Sequence, residues 1–292
     1  MTSIPAITSN STTEPETSTS GRPLGGSRGR RSQEVLRRRA RQTAISVAVL
    51  LVAIGIWWVL SAVHVFPGYA LPGPAEVWRS LMDLVAHGFG GRSLLADISV
   101  SLYRIAIGFL LAAALGIPIG IGMGSIRWIF DIIDPFLEFF RPVPPLAYIP
   151  ILVVWFGIGE APKIILIAVG TMPIIVINAL SGVRSIPPVR LRVAESLGAS
   201  RWQMFYRVVL PSALPEIFTG LRVANGVAWS CLVAAELVAA NSGLGWLVET
   251  AGQDLRVAVV IVGILFIGAC GYATELIVRL FERILVPWKG KA

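Results

Sequence analysis

Two histidines, His64 and His87, and two cysteines, Cys231 and Cys270, are the sequence's whole stock of thiol and imidazole chemistry in 292 residues. Covalent catalysis needs a nucleophile beside a base, and metal chemistry needs a cluster of ligands. Both cysteines lie inside apolar runs, His64 at the extreme end of one and His87 outside them all, so an intramembrane enzyme finds no paired nucleophile and base to work with. The cysteines read as small buried hydrophobes rather than as a disulfide or metal pair. No Gly-x-x-x-x-Gly-Lys-Ser/Thr loop occurs to cradle nucleotide phosphates, so any use of ATP requires another chain.

The segment 184–216 is the most informative polar stretch. Pro187 and Pro188 can open a short helix ending near Leu197, and Gly198 suits a left-handed C-terminal cap. Ser200 can then cap a second helix whose apolar side carries Trp202, Phe205 and Val208–Val209, with Leu210-Pro211 expected to end it. Two short helices at an angle make either a rigid knob for a groove on a partner or an ordinary surface hairpin.

What positions this segment is a membrane. The chain is 55% hydrophobic and 14% charged, with mean hydropathy +0.74. Soluble domains carry about 25% charged residues. Apolar runs fall at 44–65, 98–123, 145–157, 163–183, 219–240 and 257–286, which predicts about six transmembrane helices in an all-α membrane protein. The run 44–65 is too long for a cleaved signal and carries Trp57-Trp58, so it is read as a stable span. Before the third run stands Arg141-Pro-Val-Pro-Pro145; the helix 129–140 either completes that span or lies along the interface. Residues 1–42, polar and then Arg-rich, are expected to be a disordered basic tail, its inner part close to anionic lipid, ahead of a permease domain at 43–292.

Charge sets the orientation. With both termini inside, the basic residues of the tail, Arg127, Arg141, those of the loop after span four, Arg222 and the C-terminal group fall on the cytoplasmic side. Only Arg79, Arg92, Arg104, Lys163 and Arg256 fall outside, a strong positive-inside bias that puts 184–216 in the cytoplasm. The net charge of +8 therefore records topology, and no groove-reading motif points to nucleic acid.

Ionisable groups inside spans demand a reason. Glu236 should face a partner, water or a dimer seam, serving either a translocation path or gate, or a structural hydrogen bond to a helix end or an arginine. Glu275 and Arg279 have helical ion-pair spacing and read as structural. Glu160 either meets an outer protein or caps a turn; Arg141 binds an anion or anchors at the interface. Asn178, Asn225 and Ser230 can line a dimer interface or bond across helices. Gly116, Gly120, Gly122 and Gly124 suit close helix packing, with a hinge as the alternative. The segment Asn241-Ser-Gly-Leu-Gly-Trp246 suggests a short outer helix, with Leu244 and Trp246 as part of an outer gate.

The loop resembles the coupling motif of ABC importer permeases, in which Glu-Ala-Ala precedes a glycine by three residues and Ile-x-Leu-Pro follows nine later. Ala194, Gly198, Val208, Leu210 and Pro211 occupy matching places, while Arg192 and Val193 depart from the triplet. The resemblance runs from about residue 44 to the C-terminus. It is carried by Arg141-Pro-Val-Pro-Pro145, Trp155-Phe-Gly-Ile-Gly-Glu160, Ser196-Leu-Gly-Ala-Ser-Arg201, Leu210-Pro-Ser-Ala-Leu-Pro-Glu216, Leu232-Val-Ala-Ala-Glu-Leu237 and Pro287-Trp288. It is closest to the taurine, alkanesulfonate and nitrate permease group, and within it to taurine permeases.

The resemblance implies a type I ABC importer permease fold and a transport subunit rather than an enzyme, in a bacterial cell membrane. The implied partners are a second copy of the chain, two ATP-binding subunits that hold ATP and Mg, and an extracytoplasmic substrate-binding protein; no cofactor is expected in this chain. Ala194, Glu195, Ser196, Leu197, Gly198, Ala199, Ser200, Trp202 and Phe205 are the expected coupling residues. The substrate expected is a small sulfonate, with nitrate, bicarbonate or another small organic anion as alternatives. An ion-coupled secondary transporter is the rival class, but inverted internal repeats are not visible in the sequence.

Overall fold

The computed structural model describes residues 27–63 and 70–289. They divide into two units at Trp57–Trp58. Most of α1 (Ser27–Ala62) belongs to the first unit, and its stretch Val47–Ala62 is apolar. Residues 27–42, expected to be without structure, are helical here; residues 1–26 of the expected tail lie outside the described residues. The Gln, Glu, Leu, Arg and Ala residues ahead of the apolar stretch are good helix formers, so a helix nucleated in the apolar part propagates toward the N-terminus at little cost.

The second unit contains α2 (Pro74–His87), α3 (Leu94–Ser125), α4 (Arg127–Phe140) and, after a 3₁₀ turn at Pro145–Tyr148, α5 (Ile149–Phe156). Then come α6 (Glu160–Arg184), α7 (Pro188–Ser196), α8 (Arg201–Met204), α9 (Leu210–Ala239), α10 (Leu244–Gln253) and α11 (Val257–Leu285). Among the described residues, four helical stretches are long and apolar enough to cross a bilayer: Leu94–Ser125, Glu160–Arg184, Arg201–Val238 and Val257–Leu285. Arg127–Phe140 and Pro145–Phe156 qualify together but meet at 92°, a broken span or a re-entrant loop. That pair makes five, and the shorter Val47–Ala62 occupies the place of the first expected span. The prolines at 142, 144 and 145 explain the break, since they withhold donors and keep the preceding residues out of helix.

In lipid, helices gain nothing from hiding apolar surface from each other, so close packing must hold them together. α3 supplies it with Gly108, Ala112, Gly116, Gly120 and Gly124, one small residue every fourth position. This stripe lies on α6, which runs parallel to α3. A Cβ on Gly108 would sit 2.7 Å from Ile167 Cβ, one on Gly120 2.6 Å from Ala179 Cβ, and one on Gly124 2.6 Å from Val183 Cβ. Packing, not hinging, is therefore what these glycines do, except that Gly122 faces Ile129 of α4 at an ordinary 3.5 Å. α6 also packs on α9: Gly182 lies close against Ala213 and Glu216, and Ala179 and Val183 share one buried cluster with Ala213 and Ile217. Gly120→Ala is expected to destabilise by about 1–3 kcal/mol by forcing α3 off α6. Gly122→Ala is expected to be neutral or slightly stabilising, because it has room and removes a helix-interior glycine. Unfolding midpoints in detergent measure both.

Candidate functional site

The knob exists, and its geometry is built from two interlocking caps. α7 starts with Pro188 at its first position and stops at Leu197. Gly198, with φ +75°, turns the chain out of the helix. Its N–H donates to Glu195 O at 2.9 Å and the Ala199 N–H donates to Ala194 O at 3.1 Å, the paired bonds of a Schellman end. Two residues later Ser200 opens α8: its Oγ accepts from Gln203 N–H at 3.3 Å, and Gln203 Oε1 accepts from Ser200 N–H at 2.9 Å. Leu197 and Trp202 stand out from this turn, 81% and 73% exposed, and the Trp202 ring stacks on Tyr206 with centroids 6.0 Å apart. Glu195, Ser196 and Ser200 are also exposed, Ala194 and Ala199 partly so, while Phe205 packs inward on the Ala213–Ile217 cluster.

One expectation fails here. Leu210-Pro211 does not end the second helix; Arg201–Val238 is one continuous helical stretch. A π turn over Phe205–Val209, with the Leu210 N–H reaching Phe205 O, carries the chain past the proline. The wider turn relieves the clash of the Pro211 ring with the carbonyl four residues back, and no intrahelical donor is asked of Pro211. The knob is thereby a rigid extension of α9, and Arg190 of α7 donates to Ser212 Oγ at 3.2 Å to tie its other half down.

At the opposite end of α9 the structure shows a polar cluster of which the sequence singled out Glu236 and Glu160, each by itself. Glu236 is fully buried and accepts from Ser101 Oγ at 2.8 Å, Arg104 Nη1 at 2.7 Å and the Gly245 N–H at 2.7 Å. Arg104, buried inside α3, uses every N–H it has. Nε and Nη2 grip Glu160 at 2.6 and 2.7 Å, Nη1 also reaches Ser242 O at 2.7 Å, and Nη2 reaches Ser242 Oγ at 3.1 Å. Lys163 adds a contact to Glu160 at 3.2 Å. Three successive backbone N–H groups at the start of α10 are taken up in turn. Gly243 donates to Asp97 Oδ1 at 3.0 Å, Leu244 to Ser101 Oγ at 2.9 Å, and Gly245 to Glu236. A helix start favours a carboxylate electrostatically as well. The glycines are required: Gly243 has φ +113°, and a Cβ on either Gly243 or Gly245 would collide with the Glu236 side chain.

Asp97, Ser101 and Arg104 lie on the same face of α3 that continues as the small-residue stripe at 108–124. One helix face thus grips α6 by shape along most of its length and by charge at its end. Arg104 counts as a flanking outer residue in the charge tally, yet it sits within a helix of 32 residues and is buried. The rule that singles out Glu236, an ionisable group in an apolar run, applies equally to Arg104 and is the signal that could have found it.

The remaining expected residues scatter. Leu244 is buried at the start of α10, and Trp246, partly buried, meets Phe89 edge-to-face at 6.5 Å. Asn225 bridges helices by donating to Gly271 O of α11 at 3.3 Å. Asn178 and Ser230 bond within their own helices, to Ile174 O at 2.8 Å and Gly226 O at 3.2 Å, and Ser230 is exposed. Glu275 pairs with Arg279 at 2.9 Å as the spacing predicts, and Arg222 of α9 joins them at 2.8 Å. Glu160 neither caps a turn alone nor stands free, since it holds Arg104; Arg141 is exposed at the end of α4.

Helices long enough to cross a bilayer, with a capped and exposed knob extending one end of α9, define an α-helical membrane protein with a surface a partner could grip. Residues 116–286 match the family described as binding-protein-dependent transport system inner membrane component. The chain is 44% identical to the taurine transport system permease protein of Escherichia coli over 86% of this chain and 92% of that one. It is 37% identical to a putative aliphatic sulfonates transport permease protein of Bacillus subtilis (82% and 85%). With a nitrate import permease protein of Synechocystis the identity is 32% (85% and 90%). In fold it is similar to an inward-facing methionine ABC transporter chain, with TM-score 0.53, 20% identity, and coverage of 64% of this chain and 95% of that one. The chain belongs to the binding-protein-dependent transport system inner membrane component family: it is an ABC-transporter permease, a multi-pass transport subunit and not an enzyme.

Proposed function

We propose that this chain forms the translocation path of an ATP-driven importer for a small sulfonate, taurine or an alkanesulfonate. Such a permease works with ATP-binding subunits and a substrate-binding protein. In the proposed assembly two copies of residues 43–292 pair, two ATP-binding subunits carrying ATP and Mg dock on the knobs, and the binding protein delivers substrate from outside; no cofactor resides in this chain. Both termini and the knob face the cytoplasm. The observation that carries this reading is the knob itself: a stiff, doubly capped turn presenting Leu197 and Trp202 to solvent, continuous with α9. Residues 194–205 enter a groove on the ATP-binding subunit, so that closure of the ATPase dimer is transmitted along α9 to the end that holds α10. Leu244 and Trp246 form part of the outer gate. Glu236 serves it as an anchor, and Asn178, Asn225 and the exposed Ser230 lie along the path or the seam between copies. The sulfonate assignment is supported by the 44% identity to a taurine permease.

Two experiments test this. Reconstituted with its ATP-binding and substrate-binding partners, the permease is expected to take up labelled taurine or an alkanesulfonate only when ATP is hydrolysed. A binding protein stabilised by nitrate and untouched by sulfonates in a thermal shift would overturn the substrate. In sealed right-side-out vesicles, Ser196→Cys should react with an impermeant maleimide only after permeabilisation, with the parent chain as background. Labelling from outside would overturn the orientation.

A further inference from the structure

At the knob end of the bundle, a cavity of about 400 Å³ opens between the ends of α3 and α6 and the start of α4. Its polar lining is Ser125, Arg127, Asp131 and Arg184, with Phe130 as its aromatic wall. The Arg184 guanidinium lies 3.9 Å above the Phe130 ring centroid. Stacked so, its planar face is satisfied by the ring while its N–H edge stays available for a bidentate anion. Arg127 is almost fully exposed, and its nearest carboxylate oxygen, on Asp131, is 3.9 Å away, too far for a hydrogen bond. The cavity therefore holds two cations against one anion. α4 begins here at Arg127, and its N-cap residue Ile126 gives no side-chain cap to the first turn.

The surroundings decide what anion belongs there. α4 has two apolar faces. Ile129, Phe130, Ile133 and Leu137 pack against Met123, Val176 and Leu180. Trp128, Ile132, Phe136 and Phe139 form a second stripe that is exposed, and it starts beside Arg127. A charged cavity at the end of membrane-spanning helices, continuous with an exposed aromatic and aliphatic stripe, fits a molecule with an anionic head and hydrocarbon tails.

We propose that this cavity binds the phosphodiester headgroup of an anionic phospholipid, held by Arg184 and Arg127, with its acyl chains along Trp128, Ile132 and Phe136. Arg184 is the last residue of α6, and Pro188 opens the knob four residues later. Occupancy thus braces the root of the knob and makes coupling sensitive to membrane composition. That the lipid belongs to the inner leaflet rests on the orientation proposed above; the site itself does not.

The full-length permease, purified in mild detergent, is examined by native mass spectrometry with added phosphatidylglycerol or phosphatidylcholine. Expected is retention of phosphatidylglycerol by the parent chain and about a tenfold or greater loss of apparent affinity in the Arg127→Gln, Arg184→Gln double variant. The Arg127→Lys, Arg184→Lys variant should recover part of it, which separates lost charge from lost fold. Equal phosphatidylglycerol retention by the parent and the glutamine variant would overturn the proposal. So would binding of inorganic phosphate or glycerophosphoglycerol as tightly as the intact lipid, which would mark a soluble-anion site. If Ser196→Cys labels from outside while phosphatidylglycerol binding follows the arginines, the orientation fails and the lipid site stands.

Discussion

Arg104→Met is expected to abolish uptake and to lower the unfolding midpoint of the purified permease more than any other single change at this cluster. The substitution leaves Glu236 buried and charged with only Ser101 and the Gly245 N–H for company, and it strips Glu160 of its bidentate partner. Removing one member of a buried ion pair typically costs about 3–5 kcal/mol, because the other charge stays behind uncompensated. Against a total stability of about 5–15 kcal/mol that is a large share. Glu236→Gln should cost less, since the amide can still accept from Ser101 or Gly245. Glu160→Gln should cost least, because that side chain is 48% exposed and water can replace much of what it loses. The double change Arg104→Met, Glu236→Leu should be well short of additive, since no buried charge is left unpaired. Uptake should nevertheless stay lost in the double variant, because the start of α10 loses both the Glu236 carboxylate that accepts from Gly245 and the Arg104 contacts to Ser242. Full uptake in Arg104→Met, or additive losses in the cycle, would show that the cluster is not what positions α10.

The two ends of the molecule differed in how far the sequence exposed them. The knob was readable because its signals are local: Pro187-Pro188, Gly198 and Ser200 act on backbone within a few residues of themselves, and each does in the structure what its chemistry prescribes. The small-residue stripe of α3 was readable in kind, as close packing, while its partner helix was not. The Arg104–Glu236 pair spans 132 positions, and nothing local ties the two together. Pro211 misled for a different reason. Proline forbids a donor and a standard turn, but not a helix that widens before it, and the π turn at Phe205–Val209 depends on how the following residues pack. The break at 142–145 was legible as a break; its angle of 92° was not, since the segments on either side pack on α6, which is remote from the prolines' local signal.

These features assemble into one mechanical path. A movement imposed at the knob enters α9 through a continuous helix, so it cannot be absorbed by a flexible joint at Pro211. At the far end the same helix carries Glu236, which is bonded directly to the first turn of α10. α3 and α6 meet the path at the same point through Arg104 and Glu160. The cluster that holds the start of α10 is therefore built on the same helix that continues into the knob, with α3 and α6 gripping it at that point.

Leu197→Asp is expected to sever that path at its input without disturbing the fold. Leu197 is 81% exposed and touches little within the chain, so stability should change by no more than about 0.5 kcal/mol. If the side chain is buried in the groove of the ATP-binding subunit, a carboxylate in its place should cost about 2 kcal/mol or more of binding, roughly a 30-fold rise in Kd, and uptake should vanish. Gly198→Val reaches the same end by another route. Nothing lies within 4 Å of a Cβ at Gly198, so the cost is purely that of φ +75° for a β-branched residue, about 1–3 kcal/mol. That strain falls on the joint between α7 and α8, so the two halves of the knob should swing relative to each other while the spans stay folded. Gly198→Asn, which accepts a left-handed conformation, should retain substantial uptake. The ordering Asn above Val, together with unchanged detergent unfolding for Leu197→Asp, is the signature of a rigid coupling turn. Normal uptake and normal capture of the ATP-binding subunit by both Leu197→Asp and Gly198→Val would remove the knob from the mechanism.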